Sequence, residues 1–236
     1  MEYAKQTTLF EELKIKMDGE LFRDMTTRLI YATDASAYKV LPLAVCYPKT
    51  ENDLQHLIRF ASNENLALIP RAAGTSLAGQ VVGDGIVVDI SKHFTKIIEV
   101  NKEEAWVRVQ PGVILDELNM YLKDYGLFFG PETSTSSRCM LGGMLGNNSC
   151  GSHSIIYGST RDHTIEVTCL LSDGSKVVFS PLSNEEFELK CKENKGLESK
   201  LYQQIKSILS SDENQEAIAQ EYPDPKIKRR NTGYAI

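Results

Sequence analysis

Apolar and polar positions alternate in blocks along this chain, and the blocks predict a mixed fold. Residues 41–70, "LPLAVCYPKTENDLQHLIRFASNENLALIP", read as strand, helix, strand. "PLAVCYP" is an apolar run bounded by prolines. In "TENDLQHLIRFASNEN", Leu54, Leu57, Ile58 and Ala61 recur at helical spacing behind Thr50 as N-cap. Asp53 stands where a capping box carries Glu or Gln and only approximates one. "LALIP" then reads as a second buried strand, with a crossover length that suits parallel pairing.

"GIVVDI" (85–90), "KIIEV" (96–100) and "EAWVRVQ" (104–110) predict further strands, the last two joined by "NKEE". "VILDELNMYLKDYG" (113–126) is an amphipathic helix stopped by Gly126. "IEVTCLLSDGSKVVF" (165–179) is a hairpin turning on Asp173-Gly174. The first 30 residues read as a short helical or irregular lead-in. The tail reads as helices over "NEEFELKC" and "GLESKLYQQIKSILSS", followed by a polar stretch. The pattern shifts near residue 101, predicting two α+β subdomains, a parallel βαβ part and then a mainly antiparallel part. The expected divisions are 1–37 lead-in, 38–101 first subdomain, 102–222 second subdomain and 223–236 a terminal connection.

Composition adds exclusions. With 236 residues, 42% hydrophobic and 25% charged, the chain has the ordinary globular mix. A net charge of −6 argues against a nucleic-acid partner, and the basic cluster "KIKRR" (226–230) reads as a solvated turn. Cys46, Cys139, Cys150, Cys169 and Cys191 are widely spaced without C-x-x-C, so no metal site is expected. No apolar run reaches the roughly 18–20 residues of a membrane span. The polar start "MEYAKQTTLFEELK" is unlike a signal peptide, and a cytoplasmic location is the expectation.

Two segments poor in large side chains carry the candidate chemistry. "PRAAGTSLAGQ" (70–80) lies between two strands, and "GPETSTSSRCMLGGMLGNNSCGSHSIIYG" covers 130–158. Small residues permit close approach of the backbone, and amides left free in irregular conformations bind phosphate oxygens. Thr75, Ser76, Ser149 and Ser152 add hydroxyls, and Asn147 and Asn148 add amides. Two such cradles suit one extended ligand with a diphosphate. Neither G-x-x-x-x-G-K-[ST] nor G-x-G-x-x-G is present, which excludes a P-loop and a Rossmann site.

With "LPLAVCYP", "PRAAGTSLAGQ", "VQPGV" and the 130–158 segment in this order, residues 41–178 resemble the PCMH-type FAD-binding domain. That is the FAD-linked oxidase domain of the vanillyl-alcohol-oxidase superfamily. The closest likeness is to the D-lactate, glycolate and D-2-hydroxyglutarate dehydrogenase branch, and "LGNNSCGSHS" resembles large members that carry iron–sulfur modules. The resemblance implies FAD between two α+β subdomains, with Arg71, Ala72, Ala73, Gly74, Thr75, Ser76, Gly79 and Gln80 wrapping its diphosphate. Pro131, Glu132 and Thr133 would lie along the ribityl chain and flavin. Gly142, Gly143, Asn147 and Asn148 would complete the cradle. Gly151, Ser152, Tyr157 and Gly158 would edge the flavin, and Ile165 and Val167 would touch the adenosine. Thr75 stands where covalently tethering members carry histidine, which implies non-covalent FAD.

The same resemblance implies hydride transfer from a 2-hydroxy acid to FAD, with electrons passed to an acceptor such as an iron–sulfur module. It also implies that "KRRNTGYAI" (228–236) precedes a substrate-cap domain, so that the chain is one part of a longer enzyme, inactive alone. His153, beside Gly151-Ser152, is the one candidate base, although the family's main catalytic histidine lies in the cap. Cys150 reads as a small packing residue and Glu132 as either a site carboxylate or a local cap. Two alternatives stay open. One keeps the fold with another reaction, of the UDP-N-acetylenolpyruvoylglucosamine reductase or alkylglycerone-phosphate synthase type. The other is a non-catalytic nucleotide-binding module.

Overall fold

The computed structural model describes residues 2–193, 195–224 and 226–227. The "KRRNTGYAI" end, with most of the basic cluster and of the 223–236 connection, lies outside the described residues. The chain opens with α1 (Glu2–Lys16), β1 (Glu20–Phe22) and α2 (Met25–Ile30). Next come β2 (Ala44–Tyr47), α3 (Glu51–Asn63), β3 (Leu68–Arg71) and β4 (Ile86–Asp89). These strands form one sheet in the order β1-β2-β4-β3, with β2 and β3 both parallel to β4 and β1 antiparallel to β2.

Two readings change here. The lead-in holds a strand, β1, whose three residues are too few for periodicity to reveal. "LALIP" is an edge strand and only half-buried, because β4 inserts between it and β2. Pro70 suits the edge, since proline has no N–H to give a further neighbour. β4, at the centre, is buried at all four positions.

The second half is built of antiparallel pairs, as expected. β5 (Ile97–Asn101) pairs with β6 (Trp106–Val109), and β7 (Val167–Leu170) pairs with β8 (Lys176–Phe179). Between them lie α4 (Leu115–Leu122), α5 (Leu141–Asn147) and α6 (Ser154–Tyr157). The 130–158 segment is therefore partly helical where the sequence reads as loop. The tail is α7 (Asn184–Lys192), α8 (Gly196–Leu209) and α9 (Asp212–Glu221), the last formed by part of the polar stretch.

Phe10 and Leu13 of α1, Leu21, Ala44, Cys46, Leu57, Ile86 and Val88 make the first core. Phe10 meets Phe60 of α3 edge to face at 5.1 Å between ring centres. Val113, Leu118 and Leu122 make a second core under the β5–β6 pair. The hairpin β7–β8 is fastened to α3, where Lys176 Nζ lies 2.7 Å from a Glu51 carboxylate oxygen.

Asp53 does more than a capping residue would. Fully buried, its carboxylate accepts from the backbone N–H groups of Asp18, Gly19, Lys49 and Thr50 at 2.8–3.1 Å. The capping box is complete, and the same two oxygens tie the α1–β1 turn to the start of α3. Deleting the carboxylate would strand four part-buried backbone donors, at a cost of about 3 kcal/mol or more. Asp53→Ala is expected to lower the melting temperature by about 6–12 °C in a domain of this size. A thermal scan by circular dichroism checks it.

Candidate functional site

A cleft of about 1340 Å³ opens between the two halves. That exceeds the roughly 300–1,000 Å³ of ordinary small-ligand pockets, so it has room for an extended molecule. The C-terminal end of β3 and residues 71–78 form one wall, with Gln80. The start and last turn of α5, residues 133–135 and Ser149-Cys150 form the facing wall. α3 and the β7–β8 hairpin close the floor through Leu54, Leu57, Ile58, Thr168, Cys169, Leu170 and Lys176.

The two walls touch. A Cβ on Gly143 would stand 3.2 Å from the Ala72 Cβ, and one on Gly142 only 2.5 Å from the Pro111 Cβ. α5 can lie this close because these positions have no side chain. Gly142 N–H donates to the Pro111 carbonyl at 2.8 Å, and Leu141 N–H to Val113 at 3.0 Å, pinning the helix start. Across the cleft, Gln80 Nε2 donates to Asn147 Oδ1 at 3.3 Å. Ser76 Oγ bonds Gln80 Oε1 and accepts from Gln80 N–H, closing the first segment on itself.

Gly74 adopts φ +66°, a backbone state that glycine reaches without the strain of a Cβ. The space beside it is filled by the chain's own Arg71, whose Nη2 would lie 2.5 Å from an added Cβ. Arg71 lines the cleft but is held from behind. Its Nη1 donates to the Thr33 carbonyl at 2.8 Å, and its guanidinium sits 5.0 Å from the Tyr31 ring centre. Tyr31 O–H donates to buried Asp89 at 2.6 Å and accepts from Tyr47 O–H at 2.8 Å. The lead-in thus braces the residue that shapes the first glycine turn.

Sequence-expected residues divide into two groups. Arg71 through Ser76, Gln80, Thr133, Gly142, Gly143 and Asn147 line the cleft together. Gly79, Pro131, Glu132, Asn148, Gly151, Ser152, Tyr157, Gly158, Ile165 and Val167 are not on its walls. Asn148 instead caps α5 in the left-handed region, and its Oδ1 accepts from Arg161 N–H at 3.0 Å. Ile165 is exposed on the surface, and the hairpin reaches the cleft through Thr168–Leu170 instead.

Glu132, Ser152, His153 and Tyr157 gather next to the wall residues Thr133 and Cys150. His153 Nδ1 is 2.6 Å from Glu132 Oε1, which also accepts from Ser152 Oγ at 3.0 Å. The His153 ring meets Tyr157 edge to face, and Tyr157 meets Phe128. The Oγ of buried Ser154 has no hydrogen-bond partner among the described residues.

Sequence reasoning missed the charge of the cleft. Its charged residues are Arg71, Arg138, Lys176 and Glu51, a positive excess inside a chain of net charge −6. Arg71 and Lys176 are engaged by protein groups. Arg138 makes no side-chain hydrogen bond or ion pair among the described residues, which leaves it to an anion. Nothing in the local pattern "TSSRCML" singles it out, because the cleft forms only in the fold. A spacious, positively lined cleft with close-approach walls fits a dinucleotide that carries a diphosphate. Among the described residues no three His, Cys, Asp or Glu side chains gather as a metal set, and no helix is long and apolar enough to cross a membrane.

A sequence-family profile described as "FAD binding domain" matches residues 42–180. Over 221 residues, 92% of the chain, the sequence is 39% identical to a D-2-hydroxyglutarate dehydrogenase of Escherichia coli, of which it covers 21%. It is 35% identical over 140 residues to the mitochondrial cytochrome-type D-lactate dehydrogenase of Kluyveromyces lactis, covering 58% of the chain and 24% of that protein. The chain therefore spans about a fifth to a quarter of these relatives. In structure it is similar to an alkyldihydroxyacetonephosphate synthase, with TM-score 0.66 and 20% identity over 75% of the chain and 35% of the synthase. That likeness shows the fold.

The Tyr31 brace gives the site region a pH signature. Burial, then the bond to Asp89, pushes the Tyr31 phenol well above its ordinary range. The raised folded value means that its stabilising contribution is complete below about pH 10, where the unfolded phenol ionises, and is lost as pH rises beyond it. Urea midpoints of the wild type are expected to fall more steeply above about pH 10 than those of Tyr31→Phe, which starts lower at pH 8.

Proposed function

Because the chain belongs to the FAD binding domain family, we propose that it is the FAD-holding part of a dehydrogenase that oxidises a 2-hydroxy acid, of the D-2-hydroxyglutarate type. The observation that carries the reading is the cleft, where the two glycine segments meet over a positively charged space of dinucleotide size. The relatives' names supply the substrate class. No feature of the site favours the synthase or reductase alternative, and the structural likeness to a synthase speaks only to the fold.

Bound FAD supplies the acceptor for a hydride leaving the substrate Cα. This chain's residues hold and orient it. Backbone amides from Arg71 to Ser76, the hydroxyl of Thr75 and the α5 wall from Gly142 to Asn147 would receive the diphosphate, and Arg138 would offset its charge. Gly79, Pro131, Glu132, Thr133, Asn148, Gly151, Ser152, Tyr157, Gly158, Ile165 and Val167 complete the proposed contact set. His153, oriented by Glu132, is the candidate base beside the wall residues Thr133 and Cys150. FAD is held without a covalent bond, since Thr75 offers no imidazole to link. Substrate binding and the electron acceptor, an iron–sulfur module among them, are assigned to the parts of such dehydrogenases that this chain does not span. The thiols of Cys46, Cys139, Cys169 and Cys191 support a reducing, cytoplasmic setting.

The test is a visible spectrum of the purified chain after FAD addition and desalting. A retained flavin band is expected, and acid precipitation should release all of it to the supernatant. A colourless desalted protein would overturn the cofactor reading, and colour left in the pellet would overturn non-covalent binding. The chain alone is expected to reduce no acceptor dye with D-2-hydroxyglutarate, D-lactate or glycolate; steady substrate-dependent reduction would show that it carries its own substrate site.

A further inference from the structure

The glycines around the cleft differ in what demands them. Gly142 and Gly143 are required by packing, against Pro111 and Ala72. Gly74 and Gly79 have positive φ, and their Cβ space is filled by Arg71 and by the Tyr38 ring. Gly146 has neither reason. Its φ is not positive, and a Cβ there would meet nothing within 4 Å beyond its chain neighbours and its own helix backbone. It lies in α5 and lines the cleft between Gly143 and Asn147. Among the described glycines, no other combines ordinary φ with open space.

In a helix, glycine is less stable than alanine because it gives up more backbone freedom. With nothing crowding position 146, the fold by itself would be better served by alanine. We propose that the bound cofactor is what requires glycine at 146, because its atoms fill the space that a methyl group would take. This rests on the FAD reading above and adds to it a residue whose role is clearance alone. The assignment makes Gly146 opposite in kind to Gly142, four residues earlier on the same helix. The two substitutions to alanine should therefore part in apo stability, only Gly142→Ala lowering it.

The experiment measures melting without FAD and FAD affinity by fluorescence quenching, for the wild type, Gly146→Ala and Gly142→Ala. For Gly146→Ala the apo melting temperature should be unchanged or about 1–3 °C higher, while FAD binds at least tenfold more weakly. For Gly142→Ala the apo protein should itself melt several degrees lower. Wild-type affinity in Gly146→Ala would overturn the proposal and leave the cofactor reading standing. A drop in its apo melting temperature like that of Gly142→Ala would also overturn it, since packing would then hold the glycine. A wild-type chain that binds no FAD would overturn the cofactor reading, and this proposal with it.

Discussion

The structure depends on how closely α5 lies against the first glycine segment. Gly143 faces Ala72, and Gly142 sits under Pro111, with no room for a further carbon at the second contact. These contacts set the separation of the cleft walls, and they set the reach of Gln80 to Asn147. A helix held a few ångströms further out would leave a shallow groove with its amides too dispersed to act on one diphosphate. Close packing of this kind is stiff, because interiors at crystal-like density have few voids to absorb displacement. The sparse side chains of both segments serve the chain's own packing first and a ligand second.

Behind the first wall, polar groups do what apolar packing cannot. Arg71 is stacked on Tyr31 and bonded to Thr33, and Tyr31 is bonded to Asp89 at the end of the central strand. Each group is directional, so the array fixes orientation as well as distance. A charged residue near a phosphate site is readily taken for a ligand. Here the contacts of Arg71 face the protein, and the cation left for an anion is Arg138 on the other wall.

Much of this was legible in the sequence. The helix at 51–63 announced itself by Thr50 and its apolar spacing, the hairpin by Asp173-Gly174, and the two glycine segments by composition. What was hidden depended on distance along the chain. β1 is three residues long and acquires meaning only beside β2. The insertion of β4 between β2 and β3 leaves no local mark, since parallel strands read alike whatever their order. α5 was obscured because glycine lowers helix propensity, which tertiary contacts with Pro111 and Val113 override, and α6 because it is only four residues long. Lys176 and Thr168–Leu170 enter the cleft because a hairpin more than a hundred residues away in sequence docks on α3.

The span that the family profile describes and the part that folds are not the same. The recognisable span starts at residue 42, within the βαβ unit, while Phe10, Leu13, Met17 and Leu21 lie before it and fill the first core. A chain cut to residues 42–180 would carry β2 with a bare edge open to pairing with other molecules. It would also deprive Asp53 of the Asp18 and Gly19 N–H donors. The profile describes the stretch that lines the cleft, and the stretch before it supplies the mechanical foundation on which those walls stand.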